Sequence, residues 1–263
     1  MDGALEMVFE IENAGYSYER VVALDGVSLS IRAGQRVALL GANGSGKSTL
    51  LRLLDGLCFA APGTVRFRGE PLTEERFRNE TFAFDFRRRV GLVFQNPDTQ
   101  LFNPTVFDEL AFGPLQLRWP PDLIRQRVDQ TLDHLNIAHL KDRPPHRLSG
   151  GEKKRVAIAS VLILDPQVVL LDEPTAGLDP RCQSQTIDLL AGWKDTGRTV
   201  VTATHDLDSV EEIADDCFVF QAGQLVAQGA PAAVLGDVDL LRRTGLLHAH
   251  THLHPHHHHD HAS

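Results

Sequence analysis

The chain has little cysteine, no long apolar run and no large block of positive charge. Its three cysteines are far apart and show no C-x-x-C spacing, so we expect reduced thiols in a reducing compartment. The most apolar stretch, 156–171, is interrupted by Asp165-Pro166 and falls short of the roughly 18 apolar residues that a membrane span requires. We therefore expect a soluble protein, which can still dock on a membrane partner.

Positive charge is also scarce. The formal net charge is −9, and no run of Lys or Arg is longer than three residues. Sequence-independent nucleic-acid binding needs clustered cations, so this pattern argues against it. We expect the two longest runs, 87–89 and 153–155, to be solvated helix faces. The acidic N-terminus is unlike the basic start of a signal peptide, which favours the cytoplasm.

The order of apolar segments predicts an α/β fold. Alternating residues in 8–18 and 21–31 predict two strands joined by a turn, and short apolar runs predict later strands separated by helices. Strand, glycine loop and helix, followed by further alternation, predict a P-loop NTPase (RecA-like) core with a mainly parallel sheet. The early strands should form a small antiparallel β-subdomain. Further predicted segments are strands at 37–40, 64–68, 90–94, 168–171, 199–204, 217–221 and 225–228, and helices at 47–57 and 183–194.

We divide the chain into three parts. Residues 1–229 form the main domain, in which helical spacing of apolar residues predicts an inserted helical subdomain at about 97–160. Residues 230–247 are a short helical extension, and 248–263 are a histidine-rich tail that we expect to be disordered without metal. The segment 73–89, rich in Phe and Arg, has no clear assignment.

The first motif that carries chemistry is the glycine-rich stretch Gly41–Ser48, which follows an apolar strand. Gly41 and Gly46 allow backbone conformations and close approaches that a side chain would block. Backbone N–H groups can then surround phosphate oxygens, Lys47 adds a cation, and the Ser48 hydroxyl can ligate Mg²⁺. We expect nucleotide contacts from Asn43, Gly44, Ser45, Gly46, Lys47, Ser48 and Thr49.

Four polar residues follow predicted strands and should open on the same crevice. Asp172 and Glu173 come after four apolar residues, at a strand end where open α/β sheets bind ligands. Asp172 is predicted to hold Mg²⁺ and Glu173 to act as general base on the attacking water. Gln95 is predicted to touch Mg²⁺ and that water, and His205 to bond the γ-phosphate. Either residue alone is more often structural, but the shared location favours catalysis.

A second anion site is predicted where Ser149, Gly150 and Gly151 open a helix. The free N–H groups and the helix dipole at such a terminus attract negative charge. One interpretation is structural, with Ser149 as the helix cap and the glycines allowing tight packing. The other is a clamp on a phosphate that a second subunit binds, because the chain already has one phosphate loop.

Together these motifs resemble the ATP-binding cassette (ABC) ATPases over roughly residues 8–230. The segments that match Walker A, Q-loop, signature, Walker B, D-loop and H-loop are Gly41–Ser48, Gln95, Leu148–Glu152, Val168–Asp172, Ala176–Asp179 and Thr204–Asp206. The resemblance implies an ATP hydrolase that uses ATP and Mg²⁺ in a head-to-tail dimer, either a homodimer or a heterodimer with a similar ATPase. It also implies that Tyr18 stacks on adenine. Tyr16 is a weaker candidate, and strand packing is the alternative for both.

A narrower resemblance lies in Val93–Phe102 and Asp108–Gly113, which are similar to the energy-coupling-factor (ECF) transporter ATPases. These proteins drive uptake of vitamins, or of cobalt and nickel ions, with an integral T-component and a substrate-binding membrane subunit. The resemblance implies a peripheral position on the cytoplasmic face of the membrane. It further implies that the stretch after Gln95 forms a groove for a coupling helix. The Phe-rich 77–86 segment departs from the family pattern.

The tail holds nine of the thirteen histidines. Imidazole suits Ni, Co, Cu and Zn, so a metal-binding tail is predicted. The interleaved spacing and the short run of four histidines favour a native end over a purification tag. Because the ATP motifs do not need the tail, truncation after Leu247 should leave ATP hydrolysis nearly intact. The predicted ligands are His248, His250, His252, His254, His256, His257, His258 and His259.

The sequence leaves other functions open. A vitamin importer with incidental histidines keeps the same motor and changes only the cargo. A soluble ABC ATPase acting on ribosomes or DNA usually carries two cassettes or a long coiled coil, whereas this sequence has one cassette and no heptad run. A non-catalytic metal-binding protein does not account for the intact Asp172-Glu173 pair.

Overall fold

The computed structural model describes residues 6–247 and contains two sheets and ten α-helices in that range. The predicted histidine tail lies outside the described residues. The strands are β1 (Met7–Tyr18), β2 (Val21–Arg32), β3 (Arg36–Leu40), β4 (Thr64–Phe67), β5 (Glu70–Pro71), β6 (Val90–Val93), β7 (Val168–Asp172), β8 (Thr199–Thr204), β9 (Asp216–Gln221) and β10 (Gln224–Gly229). The helices are α1 (Lys47–Leu54), α2 (Glu74–Phe77), α3 (Glu80–Arg89), α4 (Val106–Gln116), α5 (Pro121–His134), α6 (Gly150–Leu162), α7 (Pro180–Ala191), α8 (Val210–Ile213), α9 (Pro231–Gly236) and α10 (Val238–Arg243).

The larger sheet has six strands in the order β10-β9-β3-β8-β7-β6. Strands β9, β3, β8, β7 and β6 run parallel, and β10 pairs antiparallel with β9. Every residue of β3, β7 and β8 is buried. Full burial is expected because parallel sheets are covered on both faces, and it explains why β3 and β7 are mostly apolar and β8 consists of Val, Ala and Thr. The prediction of a mainly parallel P-loop core is confirmed.

Strand register brings the site residues to one edge of this sheet. Leu40 at the end of β3 pairs with Thr204 at the end of β8, and Asp172 at the end of β7 pairs with Ala203. The residues that follow these strands therefore emerge side by side. Gln95 follows β6, whose last residue, Val93, pairs with Leu171 of β7. This is the crevice that the sequence predicted.

The smaller sheet is antiparallel, in the order β2-β1-β4-β5. Its long hairpin β1–β2 turns at residues 19–20, as predicted. Helix α1 contacts both this sheet and the parallel one, and one apolar cluster includes Phe9 of β1, Leu50 of α1 and Val201 of β8. The predicted antiparallel β-subdomain is confirmed, and it lies against the helix that follows the phosphate loop.

Helices α4, α5 and α6 form the predicted helical region. Ile124, Val128 and Leu132 of α5 are at most 3% exposed and belong to an apolar cluster that also includes residues of β3 and β7. The helical spacing of these residues was the signal for α5. The domain boundaries themselves stay a prediction.

The segment left unassigned, 73–89, forms the short helices α2 and α3. Thr73 and Asn79 cap them through side-chain oxygens that accept from the backbone N–H of Arg76 and Phe82. The phenylalanines pack together: the Phe77 ring lies 5.3 Å from Phe82 and 5.1 Å from Phe86. Phe86 also contacts Phe67 of β4, so the cluster anchors these helices on the small sheet.

Two helix boundaries and one surface prediction were wrong. Helix α1 ends at Leu54, before Leu57, because Gly56 adopts a left-handed φ of 67°. Helix α7 begins at Pro180, before Gln183, because the Asp179 side chain caps it there, and it ends at Ala191. The run 153–155 is not wholly a solvated face, since Lys154 is 1% exposed. Within residues 6–247, no helix is both long enough and apolar enough to cross a membrane.

Candidate functional site

The phosphate loop connects β3 to α1 through three glycines with positive φ. At Gly46, where φ is 108°, an added Cβ would lie 2.7 Å from the Ala23 carbonyl oxygen. At Gly44 an added Cβ would meet no heavy atom within 4 Å, so the loop faces open space there. Packing behind the loop and space in front of it are what a phosphate cradle requires.

A cavity of about 460 Å³ lies over this loop. It gathers most of the nucleotide-contact residues that the sequence predicted, together with two of the three catalytic candidates. Its lining consists of Tyr18, Val21, Val22, Ala23, Asn43, Gly44, Ser45, Gly46, Lys47, Ser48, Thr49, Gln95 and Glu173. Ser45 Oγ, one of these lining groups, is buried and has no hydrogen-bond partner among residues 6–247.

Lys47 is a buried cation at the start of α1, 5% exposed. Its Nζ donates to the Gly41 carbonyl oxygen at 2.6 Å and lies 3.8 Å from Glu173 Oε1. Burial lowers the pKa of Lys47, and the nearby carboxylates of Glu173 and Asp172 oppose this effect. The carboxylates and carbonyls hold the ammonium group until phosphate oxygens compete for it.

Ser48 and Asp172 provide the two side-chain oxygens expected of a magnesium site. Ser48 Oγ donates to Asp172 Oδ1 at 2.9 Å, across the gap between α1 and β7. Asp172 is 8% exposed, and burial raises its pKa. Hydroxyl and carboxylate oxygens are ligands that Mg²⁺ accepts, and phosphate oxygens and water normally complete its octahedron. The residues therefore fit Mg²⁺ bound together with a nucleotide.

Glu173 lies at the centre of the site and is 4% exposed. Its Oε1 contacts His205 Nδ1 at 2.9 Å, and its backbone N–H donates to the Ala203 carbonyl oxygen at 2.9 Å. Oε2 is buried without a hydrogen-bond partner in the described structure. A buried carboxylate oxygen with no partner is costly, so we interpret it as the acceptor for a water molecule.

Tyr18 is the aromatic residue that borders the cavity. Its ring is 38% exposed, and its hydroxyl accepts a 2.8 Å hydrogen bond from Arg52 Nη1 on α1. Tyr16 contacts it edge to face, with the two ring centroids 4.9 Å apart, and packs against the apolar cluster of the small sheet. Burial raises the pKa of Tyr16. The geometry thus favours Tyr18 over Tyr16 for contact with a base.

Comparison with known proteins agrees with this geometry. The family profile described as ABC transporter matches residues 24–176. The "Nickel import ATP-binding protein NikO" of Rhodobacter capsulatus is 57% identical over 242 residues, which cover 91% of this chain and 95% of that protein. The chain belongs to the ABC transporter family of ATP-binding proteins. It is an ABC ATPase, as the motifs predicted.

Further relatives address the subtype and the fold. The "Energy-coupling factor transporter ATP-binding protein EcfA" of Methanothermobacter thermautotrophicus is 40% identical over 240 residues, 91% of this chain and 76% of that protein. Among solved structures, Clostridium perfringens cbiO1, described as part of the ABC transporter complex cbiONQ, is 40% identical with a TM-score of 0.77, covering 92% of this chain and 95% of that one. A dimeric ATP-binding cassette bound to ADP and Pi is 26% identical with a TM-score of 0.75, covering 85% and 98%. The resemblance to ECF-type ATPases is confirmed.

In this ABC ATPase the signature stands apart from the nucleotide cavity of its own chain. Ser149 and Gly150 are exposed and are not among the residues that line that cavity. Ser149 caps α6 in a capping box: its Oγ accepts from Glu152 N–H at 3.3 Å, and its N–H donates to Glu152 Oε2 at 2.7 Å. The bond to Ser149 N–H lowers the pKa of Glu152. Gly151 is buried against Cys182. Ser149 therefore caps the helix and Gly151 allows tight packing, as the structural interpretation predicted.

The structure brings together most of the predicted site and adds one residue that the sequence analysis missed. The nucleotide loop, Gln95, Asp172, Glu173 and His205 meet at one sheet edge, whereas the signature points elsewhere. The missed residue is Lys154, whose Nζ donates to the Gln95 carbonyl oxygen at 2.7 Å. In the sequence, the one indication that Lys154 belongs to the site was its position one helical turn after the signature glycines. Among residues 6–247 no cluster of three His, Cys, Asp or Glu side chains has metal-site geometry.

Proposed function

We propose that this ABC ATPase is the ATP-hydrolysing subunit of an ECF importer for nickel or cobalt ions. The observation that carries the proposal is its high identity to the R. capsulatus nickel import protein over nearly the whole length of both chains. The nucleotide cavity provides the site for ATP binding and hydrolysis that such an importer needs. The partners are an integral T-component and a substrate-binding membrane subunit, with the ATPase peripheral on the cytoplasmic face.

The proposed active site is shared between two subunits, which are two copies of this chain or one copy and a similar ATPase. One subunit binds ATP with Tyr18 and residues 43–49, and Ser149–Gly151 of the other contact the γ-phosphate. Two features support this arrangement: the exposed helix start at Ser149 and the absence of residues 149–151 from the cavity lining of their own chain. A helix N-terminus attracts anions, so a phosphate presented by a partner would dock there.

In the closed dimer the residues of the site have distinct roles in ATP hydrolysis. Glu173 Oε2 accepts a proton from the attacking water, while Lys47 turns from Glu173 to the phosphate oxygens. His205 contacts Glu173 Oε1 and bonds the γ-phosphate, and Gln95, which lines the cavity, orients the water. Mg²⁺, held by Ser48 and Asp172, would neutralise charge on the phosphate oxygens.

The membrane partner has a candidate docking groove of about 430 Å³ between α3 and the end of α4. Its lining offers apolar contacts and charges of both signs, from Phe84, Trp119, Arg88, Arg118, Glu80 and Asp85. Exposed apolar side chains occur in the stretch after Gln95, including Phe102 at 67% and Leu115 at 55% exposure. Exposed apolar patches of this kind mark interaction sites. We propose that the coupling helix of the T-component binds in this groove and contacts the exposed apolar side chains after Gln95.

We expect the chain to support metal uptake only together with its membrane partners. Cells that express the complex should accumulate radiolabelled Ni²⁺ or Co²⁺, and the Glu173→Gln complex should not. A chain truncated after Leu247 should keep its ATP hydrolysis rate, and replacement of the tail histidines by serine is the matched control for loss of metal binding at constant length. Accumulation of a labelled vitamin such as biotin, with no metal uptake, would contradict the proposed cargo and support the vitamin importer.

We also expect two inactive variants to restore activity when mixed. Lys47→Ala disables the phosphate loop, and Gly150→Asp places a negative charge at the signature, where an added Cβ meets no heavy atom of residues 6–247 within 4 Å. In a mixed dimer one site keeps both intact halves, so activity should reach up to about a quarter of the wild-type rate. The measurement is ATP hydrolysis of each variant alone and of the mixture.

The control for this mixing experiment is Gly150→Asn, which adds similar volume without charge and should keep more activity than Gly150→Asp. Mixed samples that stay as inactive as their components, with dimers shown by light scattering, would contradict a site shared between subunits. Full activity in a strictly monomeric wild type would contradict it as well.

A further inference from the structure

Lys154 is a buried cation on α6, the helix that begins with the signature glycines. Its side chain is 1% exposed, and its Nζ donates to the carbonyl oxygens of Gln95 at 2.7 Å and Phe94 at 3.3 Å. Burial lowers the pKa of Lys154 to about 8, and the negative charges of Asp172 and Glu173 oppose this effect. Burial of a charge costs free energy of folding, so a buried lysine at this position indicates that its two hydrogen bonds to the backbone have a structural or functional role.

Further bonds attach the Q-loop segment, residues 94–100, to the same helix. Lys153 Nζ pairs with Asp98 Oδ1 at 2.7 Å. Gln100 Nε2 donates to the Ala157 carbonyl oxygen at 2.8 Å, and Gln100 Oε1 accepts from the Phe94 N–H at 3.1 Å. The Q-loop segment therefore contacts α6 along about two helical turns, from Lys153 to Ser160. Lys154 is the buried cation of this set, and it bonds the backbone of Gln95, which lines the nucleotide cavity.

We infer that Lys154 is a positioning residue that fixes the backbone at Gln95 to the signature helix. Gln95 borders the nucleotide cavity of its own chain, whereas Ser149–Gly151 serve the partner's nucleotide in the proposed dimer. Lys154 is three residues after Gly151, about 4.5 Å along the helix. Lys154 thus connects two nucleotide sites of the proposed dimer. It fixes the backbone of Gln95, which lines the site of its own chain, to the helix whose signature contacts the nucleotide of the partner. This inference rests on the proposed two-subunit site.

Lys154 can position Gln95 because its ammonium group bonds to main-chain oxygens rather than to a side chain. A lysine that holds the carbonyls of residues 94 and 95 restricts the backbone from which the Gln95 side chain extends. Loss of the ammonium group leaves two carbonyl oxygens without this donor and allows Gln95 to shift. A shift of about 1 Å in an orienting group is enough to slow a reaction considerably while leaving substrate affinity unchanged.

The test is a double-mutant cycle of Lys154→Met with Gln95→Ala. Lys154→Met keeps side-chain length and removes the donor. We expect it to lower kcat about tenfold while the Kd for ATP stays within about twofold, because the phosphate loop is untouched. In the Gln95→Ala background the same change should lower kcat by less than about twofold, because Lys154 acts through Gln95. Lys154→Arg, which keeps the donors, should recover most of the rate.

The matched control is Lys153→Met, which removes a cation from the same helix and breaks a partly exposed ion pair to the Q-loop segment. It should change kcat by less than about twofold, as surface pairs contribute little. Thermal unfolding checks that each variant folds. Lys154→Leu, which also removes the donor, replaces Lys154→Met in the cycle if the latter does not fold.

Two results would overturn the role of Lys154. One is wild-type kcat in the Lys154→Met variant, and the other is an equal loss of rate with and without the Gln95 side chain. A wild-type protein that fails to hydrolyse ATP would instead refute the proposed function, so the two failures are distinguishable.

Discussion

Replacing Glu173 with glutamine is expected to lower ATP turnover by at least about 100-fold, the lower end of what a general base contributes. Glutamine has the same shape as glutamate, so contacts like those to Lys47 and His205 can persist, but its amide cannot accept the proton of the attacking water. ATP binding should persist. The closed dimer should then accumulate, because the hydrolysis step that opens it is blocked.

Two measurements check this result. Initial rates of phosphate release give turnover, and size-exclusion chromatography with ATP and Mg²⁺ separates dimer from monomer. Glu211→Gln is the matched control, because it makes the same chemical change at an exposed position of helix α8 and should leave both readouts at the wild-type level. Rapid hydrolysis by the Glu173→Gln protein would rule out Glu173 as the general base.

Replacing Lys47 with alanine is expected to weaken ATP binding itself, by about 10- to 100-fold, the value of a charge-assisted hydrogen bond. The buried ammonium group is the cation next to the cavity, and its own pKa is lowered by burial, so it gains more from phosphate than a solvated lysine does. Titration calorimetry with ATP measures the affinity directly. No ATP-dependent dimer should form at concentrations at which the Glu173→Gln dimer is saturated.

Lys194→Ala is the control for the loss of one positive charge, since Lys194 is exposed and lies away from the cavity lining. Thermal unfolding without nucleotide separates lost affinity from lost stability. We expect the unfolding temperature of Lys47→Ala to fall, because the buried Glu173 carboxylate loses the cation 3.8 Å away, so ATP affinity is measured at a temperature where both proteins are folded. Unchanged ATP affinity in Lys47→Ala would contradict the assignment of the phosphate loop.

Some elements of this protein could be predicted from local sequence and others could not, for separate physical reasons. Gly41–Ser48 was readable because positive φ and close backbone approach restrict which residues are accepted, whatever the rest of the chain does. The segment 73–89 was not readable, because its phenylalanines are buried by one another and by β4. No local period encodes that cluster. The boundaries of α1 and α7 depended on single capping residues, which the apolar pattern does not resolve.

Lys154 shows the limit most clearly. In the sequence it is the middle of a three-residue basic run, and such runs are usually solvated. In the structure it is buried, and its partner oxygen belongs to a residue 59 positions earlier in the chain. The environment of a charge depends on which elements pack against it, so composition around the residue cannot reveal it.

By itself, the sequence determined the order of the main strands, the phosphate loop and the identity of the acidic pair, because each depends on local backbone geometry or on a short apolar run. Only the tertiary structure decided that Glu173 meets Lys47 and His205, that Lys154 holds the Q-loop segment, and that the signature faces away from its own nucleotide cavity. Those relations join residues far apart in the chain. They are fixed by strand register and by the packing of helices on the sheet, which no local pattern records.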